Sequence, residues 1–516
     1  MPSSDYHHAP PEAVEAFSTS VGHVFSETAK NYSASMAVED GETSFTYGEL
    51  DERVNRLCNL MLEAGLKPQQ RIAIITRNSI TYLEIILAAS KIGVIASCQN
   101  WRLTPPELEY CIDLVAPTLI FLSPEFEHLL TKKVSDDIQT ALIDGDYEKK
   151  LLHQPASAPM LAASPESGFI ILYTSGTTGH PKGALISHRA SLARTMVYAS
   201  ELNVPIDDTF IAWSPLFHIG SADHSIATLL RGGKVFVVDG FDTDLILHAL
   251  EHNRTQWLSV LPGITDRLID VMKKQKPNLI GVGCVGGMPD LISPAQIAEI
   301  SSLFQAPYLD SFGSTETGIS PATGSLIPIG VTPEKLTKRQ TIGCEVRLVD
   351  EFDQEVPDGT PGEVAVRGPV LFSGYVNNAK ANEACFRGGW YHMGDVMLRT
   401  PETRTLQFMD RLKYLIKSGG ENIYPAEIER VLLADPRVDE AAVVRRPDEK
   451  WGEVPIAFVA RKDKSLREND ILALCVDVLA RYKHPKAVMF IARDEFPRGA
   501  TGKVKREELE KRISTI

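Results

Sequence analysis

The chain has 516 residues, more than a single hydrophobic core serves, so length alone predicts roughly two to four domains. A hydrophobic share of 43% and a charged share of 23% are ordinary for a soluble globular protein. The formal net charge of −14 argues against a general nucleic-acid binder, which needs an excess of Lys and Arg, but leaves room for a local nucleotide site.

In chain order, Met1 to Ser20 has no basic segment followed by an apolar one, so it reads as a loose leader without a signal peptide. A helix is expected from Val21, then short strands at Ala37 to Glu39 and Ser44 to Thr46 around a turn at Asp40-Gly41. Thr46 is an N-cap candidate, and Leu50, Val54, Leu57 and Met61 follow it as an apolar stripe at helical spacing. Arg71 to Thr76 predicts a strand and Ser79 to Ile92 a helix. The most apolar stretch, Tyr82 to Cys98, is interrupted by Glu84 and Lys91, which suits a core helix and its turn and not a membrane span. Strands are predicted at Thr118 to Ser123, Thr209 to Ala212, Lys234 to Asp239, Trp257 to Leu261 and Ile280 to Val285. Apolar strands alternating with amphipathic helices indicate an α/β domain of mostly parallel sheets.

Glu363 to Gly368 and Leu406 to Asp410 belong to a more antiparallel, β-rich part. Beyond Arg411 come helix 425–433, strands 438–445 and 456–461, helix 468–481 and strand 487–491, a compact α+β unit. The expected fold is thus a large domain, residues 1–411, with a β-rich subdomain, followed by a small α+β domain, 412–516. The seven cysteines are scattered and odd in number, as expected of reduced, mostly buried thiols in a cytoplasmic protein.

One stretch organises the rest. Residues 171 to 183 read Ile-Leu-Tyr-Thr-Ser-Gly-Thr-Thr-Gly-His-Pro-Lys-Gly, entered by the apolar run Phe169 to Tyr173. Glycines allow close backbone approach, Thr174, Ser175, Thr177 and Thr178 add hydroxyl donors, and Lys182 adds charge: a cradle for a polyphosphate. It is not the common nucleotide loop, because His180 and Pro181 separate Gly179 from Lys182 and a Gly follows the Lys. It resembles, almost residue for residue, the phosphate loop of the adenylate-forming superfamily: acyl-CoA synthetases, luciferases and peptide-synthetase adenylation domains.

That resemblance extends over nearly the whole chain. Ser214 to Gly220, with Phe217-His218, is similar to the motif beside the acyl pocket and the nucleotide phosphates. Gly286-Gly287 after a strand lets a flat ligand lie against the backbone, and the resemblance implies that it borders both acyl group and adenine. Asp310-Ser311-Phe312-Gly313-Ser314-Thr315-Glu316 resembles Tyr-Gly-x-Thr-Glu, with Phe312 in the Tyr position; the stacking face for adenine survives and the phenolic hydrogen bond does not. Glu316 is a hard oxygen ligand of the kind Mg²⁺ prefers. Gly394-Asp395 looks like the ribose motif, followed at family spacing by Arg411. Lys417-Ser418-Gly419-Gly420 is similar to the segment lining a pantetheine tunnel, and Arg445 could meet CoA phosphates. Gly499 to Lys503 resembles the mobile loop whose Lys enters the site during adenylation, and the small domain is implied to be mobile about Lys413.

The resemblance implies an acid–thiol ligase using ATP, Mg²⁺ and CoA, in a setting such as fatty acid metabolism. Catalysis would fall to Lys503, Thr174, Glu316 and His218. ATP or AMP would be held by Thr174 to Gly179, Gly176 included, with Lys182, His218, Gly286, Gly287, Asp310 to Thr315 (Gly313 and Ser314 within it), Asp395, Arg411 and Lys503. The metal would take Thr174 and Glu316, and the acyl group Trp213, His218, Gly286 and Phe312. The partners are a small carboxylic acid, ATP and CoA, with no nucleic acid and no integral membrane association; a homodimer stays open. Three alternatives stay open too. An amino-acid adenylation domain is disfavoured because Phe217-His218 stands where Phe-Asp is usual. A luciferase-like oxygenase has no diagnostic motif here. A non-catalytic relative would usually have lost Glu316, Asp395 or Lys503.

Overall fold

The computed structural model describes residues 18–174, 181–261, 264–476, 478–498 and 504–513. A seven-stranded sheet lies at the centre, in the order Gly374–Tyr375, Lys182–Ser187, Gly168–Thr174, Ile95–Cys98, Arg71–Ile75, Leu119–Leu122, Gln139–Leu142. From Gly168–Thr174 onward its pairs are parallel; the first two strands join antiparallel. Its central strands are buried apolar runs, as sheets covered on both faces require, while the edge strand Gln139–Leu142 is partly exposed. A second sheet runs Ser44–Thr46, Met36–Glu39, Lys234–Val237, Thr209–Ala212, and a third Thr255–Leu258, Val282–Val285, Tyr308–Ser314, Gly318–Ile327.

Helices fill the space between. Tyr47–Glu63 starts where expected, with Thr46 and Glu49 forming a reciprocal capping box. Ile80–Lys91 is buried on nearly every face, which its near-uniform hydrophobicity requires. Its Lys91 is neutralised inside by Asp51, at 2.5 Å, and also donates to Asn55 Oδ1 at 2.8 Å. Among the described residues, no helix is long and apolar enough to cross a membrane. All seven cysteines are free, and five of them are buried.

The β-rich part is an antiparallel sheet of Glu345–Val349, Pro361–Arg367, Trp390–Arg399 and Phe386–Arg387, with Leu406–Arg411 paired to Trp390–Arg399. A fifth sheet, with its own apolar cluster around Ile416, Ile428, Val443 and Val459, contains Glu421–Ile423, Ile416–Ser418, Gly452–Arg461, Val438–Asp448 and Val488–Phe490. The helix expected at 468–481 ends at Cys475. Val476 is extended and half exposed, and Val478 is more exposed still, so neither β-branched side chain gains a buried wall to offset its helix cost.

Candidate active site

Parallel strands direct their carboxyl ends to one side of a sheet, where open α/β folds hold ligands. Here Thr174 closes the strand that leads into residues 175–180, Trp213 to His218 follow Thr209–Ala212, and Gly286-Gly287 follow Val282–Val285. Ser175, Gly176, Thr177, Thr178, Gly179 and Lys503 lie outside the described residues. Thr174 pairs with Lys182 across the antiparallel turn, so both ends of the expected phosphate loop meet.

Lys182 reaches across to Tyr375, with its ammonium 4.8 Å from the ring centroid. Sheet register explains the meeting, because Tyr375 is opposite Ala184 on the neighbouring strand. The Tyr375 hydroxyl donates to Glu316 Oε1 at 2.7 Å in a buried contact. Burial, and then the Glu316 charge, push the Tyr375 phenol far above its ordinary pKa, so it stays a donor. The turn carrying Glu316 is braced from behind. Phe372 N–H donates to Glu316 O at 2.9 Å. Buried Arg194 donates to Thr315 O at 3.3 Å and pairs with Asp223 at 3.1 Å. Tyr375 and Arg194 belong to no motif apparent in the sequence; only the fold brings them here.

The glycine loop is anchored by two ring donors. Trp257 Nε1 donates to Gly286 O at 2.7 Å, and Tyr308 Oη to Gly287 O at 3.0 Å. Both glycines have positive φ, +94° and +151°, and Met288 N–H donates to Ser311 Oγ at 3.3 Å. This ties the loop to the strand Tyr308–Ser314, which presents Phe312, Gly313 and Ser314. Phe312 leans on Phe408 at 5.5 Å between centroids. Asp310, expected among nucleotide contacts, is 1% exposed, and its carboxylate meets Lys338 at 2.9 Å. Lys338 is fully buried and also meets Asp290, at 2.7 Å. The Asp310 carboxylate is therefore occupied by an internal ion pair. Burial raises its pKa against the lowering pull of Lys338.

Asn78 holds the next wall. Its Nδ2 is within hydrogen-bond distance of Ala212 O, Ser214 O and Val238 O, at 2.8 to 3.1 Å, and its Oδ1 accepts from Leu216 N–H at 2.8 Å. That fixes the segment on which His218 caps the helix Ile219–Arg231, with Phe217 4.6 Å from its ring. Trp213 is buried, its indole donated to Ser259 O at 2.9 Å. Asp395 and Arg411 are register partners on adjacent strands, and Arg411 Nε is 3.2 Å from Asp395 Oδ1. The Asp395 charge raises the Arg411 pKa, so the guanidinium stays charged.

Lys413 sits in the 3-10 turn Leu412–Tyr414, with Nζ 2.8 Å from Glu507. Gly419 has φ +59°, and a Cβ there would meet Trp451 at 2.7 Å. Gly420 also has positive φ, Lys417 is exposed, and Ser418 is buried in the ladder opposite Glu421. Arg445 faces two carboxylates, Glu510 at 3.3 Å and Glu453 at 3.9 Å.

The fold is that of the adenylate-forming enzymes. The family model of the AMP-binding enzymes matches residues 25–376, and that of their C-terminal domain residues 427–503. The chain belongs to this family, in its CoA ligase branch, and is an acid–thiol ligase. A similar relative is the 2-succinylbenzoate–CoA ligase of Bacillus cereus (strain Q1), 32% identical over 485 residues, 93% of this chain and 96% of that protein. ATP-bound MatB from Rhodopseudomonas palustris superposes with a TM-score of 0.85 at 26% identity, covering 96% of this chain and 99% of that one. Apo MatB gives 0.76 at 25% identity, with the same coverage of both chains. The o-succinylbenzoate CoA synthetase MenE from Bacillus subtilis, in complex with its acyl-adenylate intermediate, gives 0.82 at 25% identity, covering 94% and 97%.

Proposed function

We propose that this ligase binds MgATP and a carboxylic acid in the crevice at the strand ends, forms an acyl-adenylate there, and then transfers the acyl group to CoA. The observation that carries the reading is that Lys182 and Glu316 both meet Tyr375, with Arg411, paired to Asp395, close enough to feel the Glu316 charge. In the first step a substrate carboxylate oxygen attacks the α-phosphorus of ATP, and the bond to pyrophosphate breaks. In the second, the CoA thiolate attacks the acyl carbon, and the carbon–oxygen bond to AMP breaks. No protein nucleophile is needed; the chain positions reactants and neutralises charge.

Lys182 and Lys503 hold phosphate charge, with Thr174 and the loop behind it. Glu316 fits Mg²⁺, which favours one or two carboxylates plus phosphate oxygens; Tyr375 occupies only one of its two oxygens. When bound, the ion offsets charge on the phosphates. Gly286, Gly287 and Phe312 flank adenine, Ser311 to Thr315 frame the phosphates, and Asp395 with Arg411 takes the ribose. Trp213, His218 and Phe312 border the acyl group. Residues 1–411 form the large domain and 412–516 the small one, hinged at Lys413. Lys503 serves adenylation, while Lys417 to Gly420 and Arg445 serve CoA. The closer agreement with ATP-bound MatB than with apo MatB supports a small domain turned for adenylation.

The acid is a small carboxylate. Likeness to the 2-succinylbenzoate ligase puts aromatic acids bearing a second carboxylate first, ahead of the fatty acids that the broader family suggests. A pyrophosphate-release screen over aromatic, dicarboxylic, branched and straight-chain acids tests this, and turnover of straight-chain fatty acids alone would reject it. Glu316→Gln keeps the volume and removes the charge; acyl-AMP formation should fall by about 10²-fold or more, with folding retained. Near wild-type pyrophosphate release from that variant would end the metal assignment.

A further inference from the structure

We propose that Tyr375 is a positioning residue that couples the phosphate-binding lysine to the metal-binding carboxylate, holding Glu316 by its hydroxyl and seating Lys182 on its ring. The inference rests on the reading of Glu316 as the metal ligand and of Lys182 as a phosphate ligand. Lys182 begins one strand of the central sheet, and Glu316 lies in the turn between two strands of another. Tyr375 meets both: its hydroxyl is 2.7 Å from Glu316 Oε1, and its ring centroid 4.8 Å from Lys182 Nζ.

The tyrosine itself is well fixed. It is 8% exposed, and its N–H donates to Asn382 Oδ1 at 2.7 Å while its carbonyl accepts from Asn382 Nδ2 at 2.9 Å. Its ring packs against Phe372 at 4.9 Å, and Phe372 in turn packs on Tyr391 and donates its N–H to Glu316 O. A ring this constrained fixes the one Glu316 oxygen it touches and leaves the other for an outside ligand. Hydrogen bonds of this kind, one step removed from a metal, orient the ligating carboxylate. The ring face offers an ammonium a seat by its negative quadrupole, which a polyphosphate can outbid. Without ATP, Lys182 therefore rests at the edge of its working position and is not spread over solvent.

Two substitutions separate the two halves. Tyr375→Phe keeps the ring and removes only the hydroxyl; Tyr375→Leu removes both. Mn²⁺ binding to the enzyme saturated with α,β-methylene-ATP is followed by electron paramagnetic resonance, and binding of α,β-methylene-ATP without metal by calorimetry. Tyr375→Phe should weaken Mn²⁺ about 10-fold and leave metal-free nucleotide binding unchanged. Tyr375→Leu should weaken both. Glu316→Gln is run in the same series. If it binds Mn²⁺ like wild type, the metal reading of Glu316 itself fails. If it loses Mn²⁺ while Tyr375→Phe does not, only the coupling is overturned. Equal losses in both assays for Tyr375→Phe and Tyr375→Leu would likewise overturn it, since that is the signature of a side chain that merely packs.

Discussion

Charges buried by this fold are mostly paired, and the exception at Asp208 makes its own prediction. Asp208 is 1% exposed; Oδ1 accepts from Gln256 N–H at 2.6 Å, and Oδ2 has no hydrogen-bond partner among the described residues. Burial raises its pKa to about 7, against the lowering effects of the Gln256 N–H and Arg231. The folded form then keeps a proton that the unfolded chain releases near the ordinary value of 3.8, so this group's contribution to stability falls as pH rises from about 4 to 7. His188, lowered by burial to about 4, works in the opposite sense over pH 4 to 6.5 and flattens the wild-type curve. Asp208→Asn isolates the effect: its stability relative to wild type should grow by up to about 1.4 kcal/mol per pH unit between pH 5 and 7. Urea unfolding at both pH values checks this, and a constant difference would reject the raised pKa. At the site, Asp395→Ala should raise the KM for ATP about 10-fold by removing a charged acceptor, and leave the order of acid preference unchanged. A changed acid profile with an unaltered ATP KM would move Asp395 into the acyl pocket.

Elements position the site through close backbone approach. The loop after Val282–Val285 is the clearest case. A Cβ on Gly286 would lie 2.2 Å from Cζ of Tyr308, a buried ring already hydrogen-bonded to the same loop, and φ is +94°. Gly286→Ala should cost about 1–3 kcal/mol and lower kcat/KM at least about 10-fold for every acid tested, because the loop must move off both anchors. Gly145, at the start of the helix Gly145–His153, has nothing within 4 Å of its ideal Cβ. Gly145→Ala is the control, expected to be neutral or slightly stabilising. Unfolding curves and steady-state rates for the pair decide whether crowding or glycine removal matters.

For the whole molecule, the proposed function asks one small domain to serve two reactions. The segment after Leu406–Arg411 is tied at both ends in this arrangement: Lys413 to Glu507, and Asp410 to the Ala426 N–H at 2.7 Å and to Arg506 at 3.4 Å. Arg493 meets Asp266 of the large domain at 3.7 Å. The Lys413–Glu507 and Arg493–Asp266 pairs are exposed or half-exposed and weak enough to exchange during a rotation, whereas Asp410 is buried and its partner Arg506 largely so. Lys503→Ala should fail with acid plus ATP and still make thioester from supplied acyl-AMP and CoA. Lys413→Pro fixes φ near −65° and disfavours the helical conformation of Leu412 before it. It should keep adenylation and lose thioester formation. Half-reactions measured separately for both variants test this, and equal loss of both steps in two folded proteins would exclude a two-state hinge.

At each of these scales the sequence reached as far as its local physics. Period and apolar runs gave the alternating strands and helices, Thr46 its cap, and Pro425–Leu433 its bounds, because these depend on neighbours a few residues away. Glycine and hydroxyl clustering with Lys182 marked the stretch proposed for phosphate, and Glu316, Asp395 and Arg411 were singled out from short motifs. The meeting of Asp395 with Arg411 came from strand register, which spacing alone does not specify. Tyr375, Arg194, Asn78, Trp257 and Lys338 were invisible in the same way, since each acts on a residue far along the chain. Asp310 lies within the sequence motif, and only packing against Lys338 turns its carboxylate inward. What the sequence determined by itself was the chemistry available and the elements that carry it. What the tertiary structure decided was which side chains meet, because a hydrogen bond between Tyr375 and Glu316, 59 residues apart, exists only once two sheets have packed.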